Sequence, residues 1–214
     1  MASINLKHTS GNGTILNSPA ANPSADITLK LPSTTGSAGQ VLKIASANHS
    51  STNAELEFAA DSGGKFVSYA VICDQKGNGD AGGTFTNGAF RTRDLNTELV
   101  DDDGIVSISS NQFTLQAGTY LINASAPAYN VNRHILQLYN VTDSNGSLGT
   151  NEFTLPDAQT RSFLSHRVTI GAAKAFEIRH QCNSTSPNTL GFGINHNFSG
   201  VNSIYTLVVI YKES

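Results

Sequence analysis

The sequence carries little charge, which excludes several classes of partner. Only 14% of the 214 residues are charged, and 13 Lys and Arg against 16 Asp and Glu give a net charge of -3. No strong positive field is therefore present to gather phosphates or anionic lipid headgroups. We expect no nucleic acid partner, and solubility must come from neutral hydrogen-bonding groups.

Long apolar runs and cysteines are also scarce. No run approaches the ~20 apolar residues that span a bilayer, so we expect no membrane insertion. The start, Met1 to Leu16, lacks a basic region followed by an apolar stretch, which predicts synthesis in a cytosol without signal-directed secretion. Cys73 and Cys182 fit no CxxC or Cys/His metal spacing. We interpret both as buried thiols, with a bridge between them as the alternative.

What the sequence does contain is turn-rich β material. Gly, Ser, Thr and Asn are abundant, and a shift in composition at Ser62-Gly63-Gly64-Lys65 divides the chain into residues 1–64 and 65–214. The first part has short apolar clusters between Gly, Pro, Asn and Ser, and its charges are nearly balanced. It either packs on neighbouring chains or is a flexible linker, and the strand-like clusters favour packing.

The second part predicts strands and no helix. Tyr120, Ile122, Ala124 and Ala126 alternate onto one side of their strand, which indicates a buried face. Phe176, Ile178, His180 and Cys182 do the same in another strand. The candidate strands are 66–73, 89–93, 105–108, 112–115, 119–126, 134–141, 160–170, 175–182, 192–197 and 203–212.

The closing strand, 203–212, is apolar on both faces. Its odd and even positions point opposite ways, and we expect core or subunit contacts from both sets: Tyr205, Leu207, Val209 and Tyr211, and Val208 and Ile210. Burial on two sides implies a partner beyond the opposing sheet, and the simplest partner is a copy of the same chain.

Several stretches resemble one family. They are Gly88 to Glu98, Asn111 to Pro127, Arg133-His134, Leu138 to Asp143, Arg161 to Phe163 and Ile204 to Thr206. Together they are similar to the C1q/TNF-like jelly rolls of bacteriophage and bacterial surface proteins, over roughly residues 66 to 212. The resemblance implies an all-β, antiparallel jelly-roll sandwich that forms a compact homotrimer. It also implies that Phe66 to Cys73 lies beside the closing strand.

The N-terminal part has a second likeness. Ala25 to Pro32, followed by Gly39 to Leu42, resembles linker repeats of phage tail-fibre and appendage proteins. Together the two likenesses imply a virion protein, a short fibre or knob, whose trimeric head adheres to the host surface. Its strand-rich N-terminal arm would contact other virion proteins. The alternative is a capsid decoration or cement protein that stabilises the shell.

One acidic cluster could hold a metal. Asp101, Asp102 and Asp103 precede Gly104, and Ca²⁺ requires several oxygen ligands in a flexible loop. The spaced DxDxDG ladder is missing, so a solvated turn is the alternative. We predict no other cofactor.

The sequence does not predict an enzyme. No GxSxG elbow accompanies the 6 histidines, and the acids suggest no glycosidase pair. Ser165-His166 and His196 with Ser199 are the pairs that could be considered. We interpret His180 as a core or interface histidine bonded to backbone, with metal binding beside Cys182 as the alternative. His134 is also structural unless it faces a trimer axis, where mild acid would affect assembly.

Polar loops are the remaining candidates for recognition. The segments 76–87, 143–152 and 183–188 are rich in Gly, Asn and Ser, which suits a host-surface glycan or protein. The alternative is that they are only connections. Tyr129 could stack on a sugar, although an aromatic at the edge of the core fits it better.

Overall fold

The computed structural model describes residues 3–7, 13–17, 28–50, 53–60, 64–186 and 188–213. The chain forms two compact units, Met1–Ser62 and Gly63–Ser214. The sequence places the boundary between residues 64 and 65, and the roles given to the two parts stay predictions. Among the described residues, no helix is long and apolar enough to cross a membrane.

The first unit consists of two small sheets. Strands β1 (Ser3–Lys7) and β2 (Gly13–Asn17) pair antiparallel. A three-stranded sheet has the order β3-β5-β4, with the bounds Thr28–Lys30 for β3, Gln40–His49 for β4 and Asn53–Ala60 for β5. Its large apolar side chains are open to solvent, since Leu29, Leu31, Leu42 and Ile44 are 50–78% exposed. This sheet therefore buries little apolar surface.

The second unit is a sandwich of two antiparallel sheets. The front sheet has the order β14-β11-β16-β6-β8, and the back sheet has the order β13-β12-β15-β10-β9, with β7 also paired to β15. The strands are β6 (Phe66–Lys76), β7 (Arg91–Thr92), β8 (Thr97–Val100), β9 (Val106–Ser109), β10 (Gln112–Leu115), β11 (Gly118–Tyr129), β12 (Arg133–Asn140), β13 (Asn145–Phe153), β14 (Gln159–Ile170), β15 (Lys174–Cys182) and β16 (Ser203–Glu213).

Strands that are adjacent in a sheet are mostly distant in sequence, so the chain crosses repeatedly between the two sheets. This is the jelly-roll arrangement. The predicted all-β antiparallel sandwich is confirmed. The prediction that Phe66 to Cys73 lies beside the closing strand is confirmed as well, because β6 pairs antiparallel with β16.

The core fills the space between the sheets. The front sheet contributes Tyr120, Ile122 and Ile210, and the back sheet contributes Phe113 and Phe176. The rings of Phe113 and Phe176 stack with their centroids 5.6 Å apart. Full burial of one such side chain contributes about 1.5–3 kcal/mol. The prediction, made from alternation, that Tyr120, Ile122 and Phe176 face the core is therefore confirmed.

Tight turns fix the register of the strands. Ser110 and Asn111 connect β9 to β10, and both have positive φ, 51° and 63°. A two-residue turn with positive φ at both positions matches the twist of the flanking strands. The Asn111 side chain also accepts a hydrogen bond from the Leu95 amide at 3.2 Å, which ties this hairpin to the neighbouring loop.

Three strand predictions are wrong. Residues 192–197 are irregular, because the chain around Gly193 has a φ of 137° and passes against the Tyr205 ring. The segment 143–152 was predicted as a loop, yet most of it lies in β13, an edge strand whose polar composition hides its pairing with β12. The short strand β8 was also missed, because its side chains are only partly buried.

A buried arginine joins the two sheets at one end of the sandwich. The Arg93 amide donates to the Ile178 carbonyl of β15, and its Nε donates to Thr206 Oγ1 of β16 at 3.0 Å. Its Nη groups donate to the carbonyls of Pro127 and Phe192, and its guanidinium lies 4.0 Å over the Phe192 ring. A buried guanidinium is stable only when its donors are satisfied, and here each of its nitrogens has an acceptor.

Two histidines share a hydrogen bond beside this arginine. His134 Nδ1 lies 2.9 Å from His180 Nε2, and His134 Nε2 lies 2.8 Å from Thr160 Oγ1. Both rings are buried, and His180 packs on Phe85. The prediction of a core histidine at 180 is confirmed, but its partner is His134 rather than backbone. The short bond requires one of the two ring nitrogens to accept, so at most one of the two rings can be protonated while it persists.

This pair makes the fold sensitive to acid. Burial, reinforced by the Arg93 charge, lowers the pKa of His134 to about 4 and that of His180 well below its ordinary value. The unfolded chain therefore binds more protons below pH ~6.5. We expect the free energy of unfolding to fall as the pH is lowered from ~6.5 towards ~4, measured by urea denaturation.

The double variant His134→Gln/His180→Gln should be less stable at neutral pH and should lose most of this pH dependence. His196→Gln, outside the pair, is the control and should keep the dependence. Equal stability of the wild type at both ends of this pH range would contradict the interpretation.

Candidate assembly and ligand surfaces

The closing strand β16 divides its apolar residues between the core and an open face. Val208 and Ile210 point inward and are fully buried, whereas Leu207, Val209 and Tyr211 point outward and are half-buried. The outward side chains form what we call the outer front face. Its apolar members on β6, β11, β14 and β16 are Tyr69, Val71, Leu121, Phe163, Leu207, Val209 and Tyr211. The polar residues Asn123, Ser125, Ser165 and Arg167 share this face.

The outer front face is apolar and contains a hollow. Phe163 and Tyr69 are 54% and 50% exposed within a single chain. The hollow, of about 400 Å³, is lined by Phe163, Leu207 and Val209 together with small polar side chains. At the far end of the face, Tyr211 packs beside Phe66 with ring centroids 5.2 Å apart.

A charged group borders this apolar face. Glu213 accepts hydrogen bonds from Arg167 at 2.7 Å and 2.8 Å and lies 3.3 Å from Lys65. Apolar surface with a polar border is the usual arrangement of a protein–protein interface.

The remaining predicted contact residue, Tyr205, is buried, and its hydroxyl donates to the Asp80 carbonyl.

The outer face of the back sheet is polar, and in one half its side chains bond to one another. Arg179 lies 3.4 Å over the Tyr139 ring, and its Nε donates to Glu177. Gln112 Nε2 donates to the other Glu177 oxygen at 3.3 Å. The polar side chains of this half therefore find their hydrogen-bonding partners within the half itself.

The other half of that sheet face holds a hollow of about 760 Å³, which we call the back-face groove. Its outward-pointing lining residues are Arg133 and Ile135 of β12, Asn151 and Phe153 of β13, Gln181 of β15, and Asn183 just beyond β15. Phe153 is 49% exposed. The groove thus combines apolar surface with several amides and one cation.

Two of the three predicted recognition segments line this groove, and the third contacts one of them. Asn151 belongs to the segment 143–152, and Asn183 belongs to 183–188. Asn87, at the end of the segment 76–87, donates from its side chain to the Asn183 carbonyl and from its amide to Thr185 Oγ1. Arg133, Ile135 and Phe153 were not predicted to bind a ligand. The sequence does indicate that Arg133 and Ile135 point outward, since they alternate with the inward-facing His134 and Leu136. Tyr129 lies apart and donates to Asp157.

The acidic cluster forms a capped turn. The two Asp101 carboxylate oxygens accept the Ile105 and Val106 amides at 2.8 Å and 2.9 Å, whereas Asp102 and Asp103 are exposed. No group of three His, Cys, Asp or Glu side chains in the described part of the chain is placed to hold a metal ion. The calcium site at Asp101, Asp102 and Asp103 stays a prediction.

The serine and histidine pairs considered from the sequence have other partners. His166 bonds to Ser147 Oγ at 3.2 Å. The two ring nitrogens of His196 bond within its own loop, to the Phe198 amide and the Asn202 carbonyl. Cys73 and Cys182 are free and buried, as predicted, and burial raises the pKa of both thiols to about 11.

The capped turn gives a stability prediction. Asp101→Ala removes two charge-assisted bonds and should lower the free energy of unfolding by about 1–3 kcal/mol. Asp102→Ala, on the same turn, should change it by less than about 0.5 kcal/mol. Urea denaturation of both variants checks this, and equal losses would contradict the capping role.

The likeness of this chain to known proteins lies in structure rather than in sequence. No family model matches the chain, and no curated protein matches it. Among solved structures, the globular domain of zebrafish complement 1qA protein is 12% identical, with a TM-score of 0.45, and the match covers 67% of this chain and 95% of that one.

Two further solved structures are similar. Murine APRIL is 8% identical, with a TM-score of 0.40, covering 68% of this chain and 98% of that one. Eiger TNF from S. frugiperda is 9% identical, with a TM-score of 0.43, covering 69% and 92%. These likenesses concern the fold alone.

Proposed function

We propose that this protein is the non-catalytic, homotrimeric adhesion head of a virion appendage, a short phage fibre or knob. The observation that carries the proposal is the apolar outer front face. The phage origin and the virion location are supported by the sequence resemblance. The N-terminal unit attaches the head to other virion proteins.

An open apolar face favours association of copies. Each Å² of apolar surface removed from water contributes roughly 25 cal/mol. Large exposed patches on soluble proteins mark interaction sites. Half-buried Leu207 and Val209 lie at the centre of the face, and the ion pairs of Glu213 lie at its border. A threefold assembly would cover this face and leave the back sheet outside.

The proposed mechanism is multivalent contact. Three weak sites on one rigid head share a single attachment, so the combined affinity can exceed that of one site by about 10²–10⁴. Bond chemistry is not required. The ring nitrogens of His196 bond to the Phe198 amide and the Asn202 carbonyl rather than to Ser199, which supports a binding role rather than a catalytic one.

The oligomeric state tests the assembly directly. We expect the wild-type chain to have three times its mass of 22.6 kDa in light scattering after size exclusion. Val209→Lys should dissociate the trimer, because an ammonium group would be buried against apolar side chains of the sister copies. Val201→Lys, an exposed valine in a loop, should leave the trimer intact. A wild type that remains monomeric at high concentration would contradict the proposal.

Binding to cells or to capsids separates adhesion from shell stabilisation. The full-length wild-type trimer should bind host cells, and Val209→Lys should bind them much less because avidity is lost. Fluorescently labelled protein incubated with cells and with purified capsids measures both. Binding to capsids with none to cells would favour the cement alternative.

A further inference from the structure

We propose that the back-face groove binds a saccharide that carries a carboxylate, with Arg133 contacting the carboxylate and Phe153 contacting the sugar ring. This inference deepens the proposed adhesion function and rests on it. It assigns the ligand class and the residues that recognise the ligand.

The two halves of the outer back face differ in how their polar side chains are paired. In the half that contains Tyr139, Glu177 and Arg179, the polar side chains bond to one another. In the groove, the described contacts give no hydrogen bond or ion pair to the side chains of Arg133, Asn151, Gln181 or Asn183. The groove therefore presents donors and acceptors that its own fold does not use.

The side chains of the groove are arranged on paired strands. Arg133 lies opposite Phe153, and the Asn183 amide bonds to the Arg133 carbonyl at 2.8 Å. In the next register position, Ile135 lies between Asn151 and Gln181. Apolar and polar groups thus alternate across the groove on a rigid sheet, which is the support that a precise binding site needs.

The side chains of the groove match the functional groups of a saccharide. Sugar hydroxyls each donate and accept hydrogen bonds, which matches side-chain amides that offer both functions. The apolar face of a sugar ring matches the exposed Phe153 ring and Ile135, since ligand sites combine apolar lining with a few oriented polar groups. A peptide that adds to a sheet edge binds mainly through backbone hydrogen bonds and would not need the face residues.

Arg133 gives the groove a positive charge. The Arg133 guanidinium points outward at the groove and has no ion pair with a described carboxylate. Glu152, which also lines the groove, is contacted by the Thr150 hydroxyl at 3.4 Å. A planar guanidinium binds a carboxylate through two parallel hydrogen bonds. An acidic sugar therefore fits this groove better than a neutral one.

The experiment measures binding of the full-length trimer to immobilised oligogalacturonate and sialyllactose, with dextran and lactose as neutral probes. We expect binding to at least one acidic probe and weaker binding to its carboxyl-reduced form. Arg133→Gln should weaken that binding about 10- to 100-fold, and Phe153→Ser should also weaken it.

Arg179→Gln is the matched control, because it removes an arginine from the satisfied half of the same face and should leave binding unchanged. Light scattering and urea denaturation confirm that each variant is a folded trimer. Unchanged binding by Arg133→Gln and Phe153→Ser, or equal affinity for acidic and neutral probes, overturns the assignment. Adhesion to host cells without binding to any acidic probe overturns the ligand class and leaves the adhesion proposal standing. Absence of both overturns both.

Discussion

The structure depends on a single strand that is apolar on both faces. Because β16 lies between β11 and β6 in the middle of the front sheet, its inward residues Val208 and Ile210 complete the core. Its outward residues Leu207 and Val209 lie at the centre of an open apolar surface. The same alternation that builds the sandwich therefore also produces a surface that favours contact with further protein. In this strand, stability and the proposed assembly have one physical origin.

The two sheets have outer faces of different chemistry, and this difference separates the proposed roles. The outer front face is apolar, whereas the outer back face contains Arg133, Glu177 and Arg179. Arg93 holds the sheets together at one end by bonding to both β15 and β16. Because the groove and the apolar face belong to opposite sheets, association through the front sheet would not cover the groove.

The sequence predicted the parts of the fold that depend on alternation. The inward faces of β11 and β15 were correct because buried apolar positions recur with period two. The strand β13 was missed because an edge strand rich in Asn, Gly, Ser and Thr carries no such signal. It forms a strand because it pairs with β12. Gly149 shows why its composition matters, since a Cβ there would lie 2.4 Å from the Phe163 carbonyl oxygen of β14.

The groove was only partly predictable for the same reason. Loop composition indicated Asn151 and Asn183, but their neighbours across the sheet, Phe153 and Arg133, depend on a register that composition does not encode. Placing the groove on paired strands rather than on loops makes its geometry rigid, so a saccharide would lose less of its binding energy to ordering the protein. A rigid, shallow and individually weak site is most useful when several copies act together. The apolar face of β16, on the opposite side of the sandwich, is the feature that would bring those copies together.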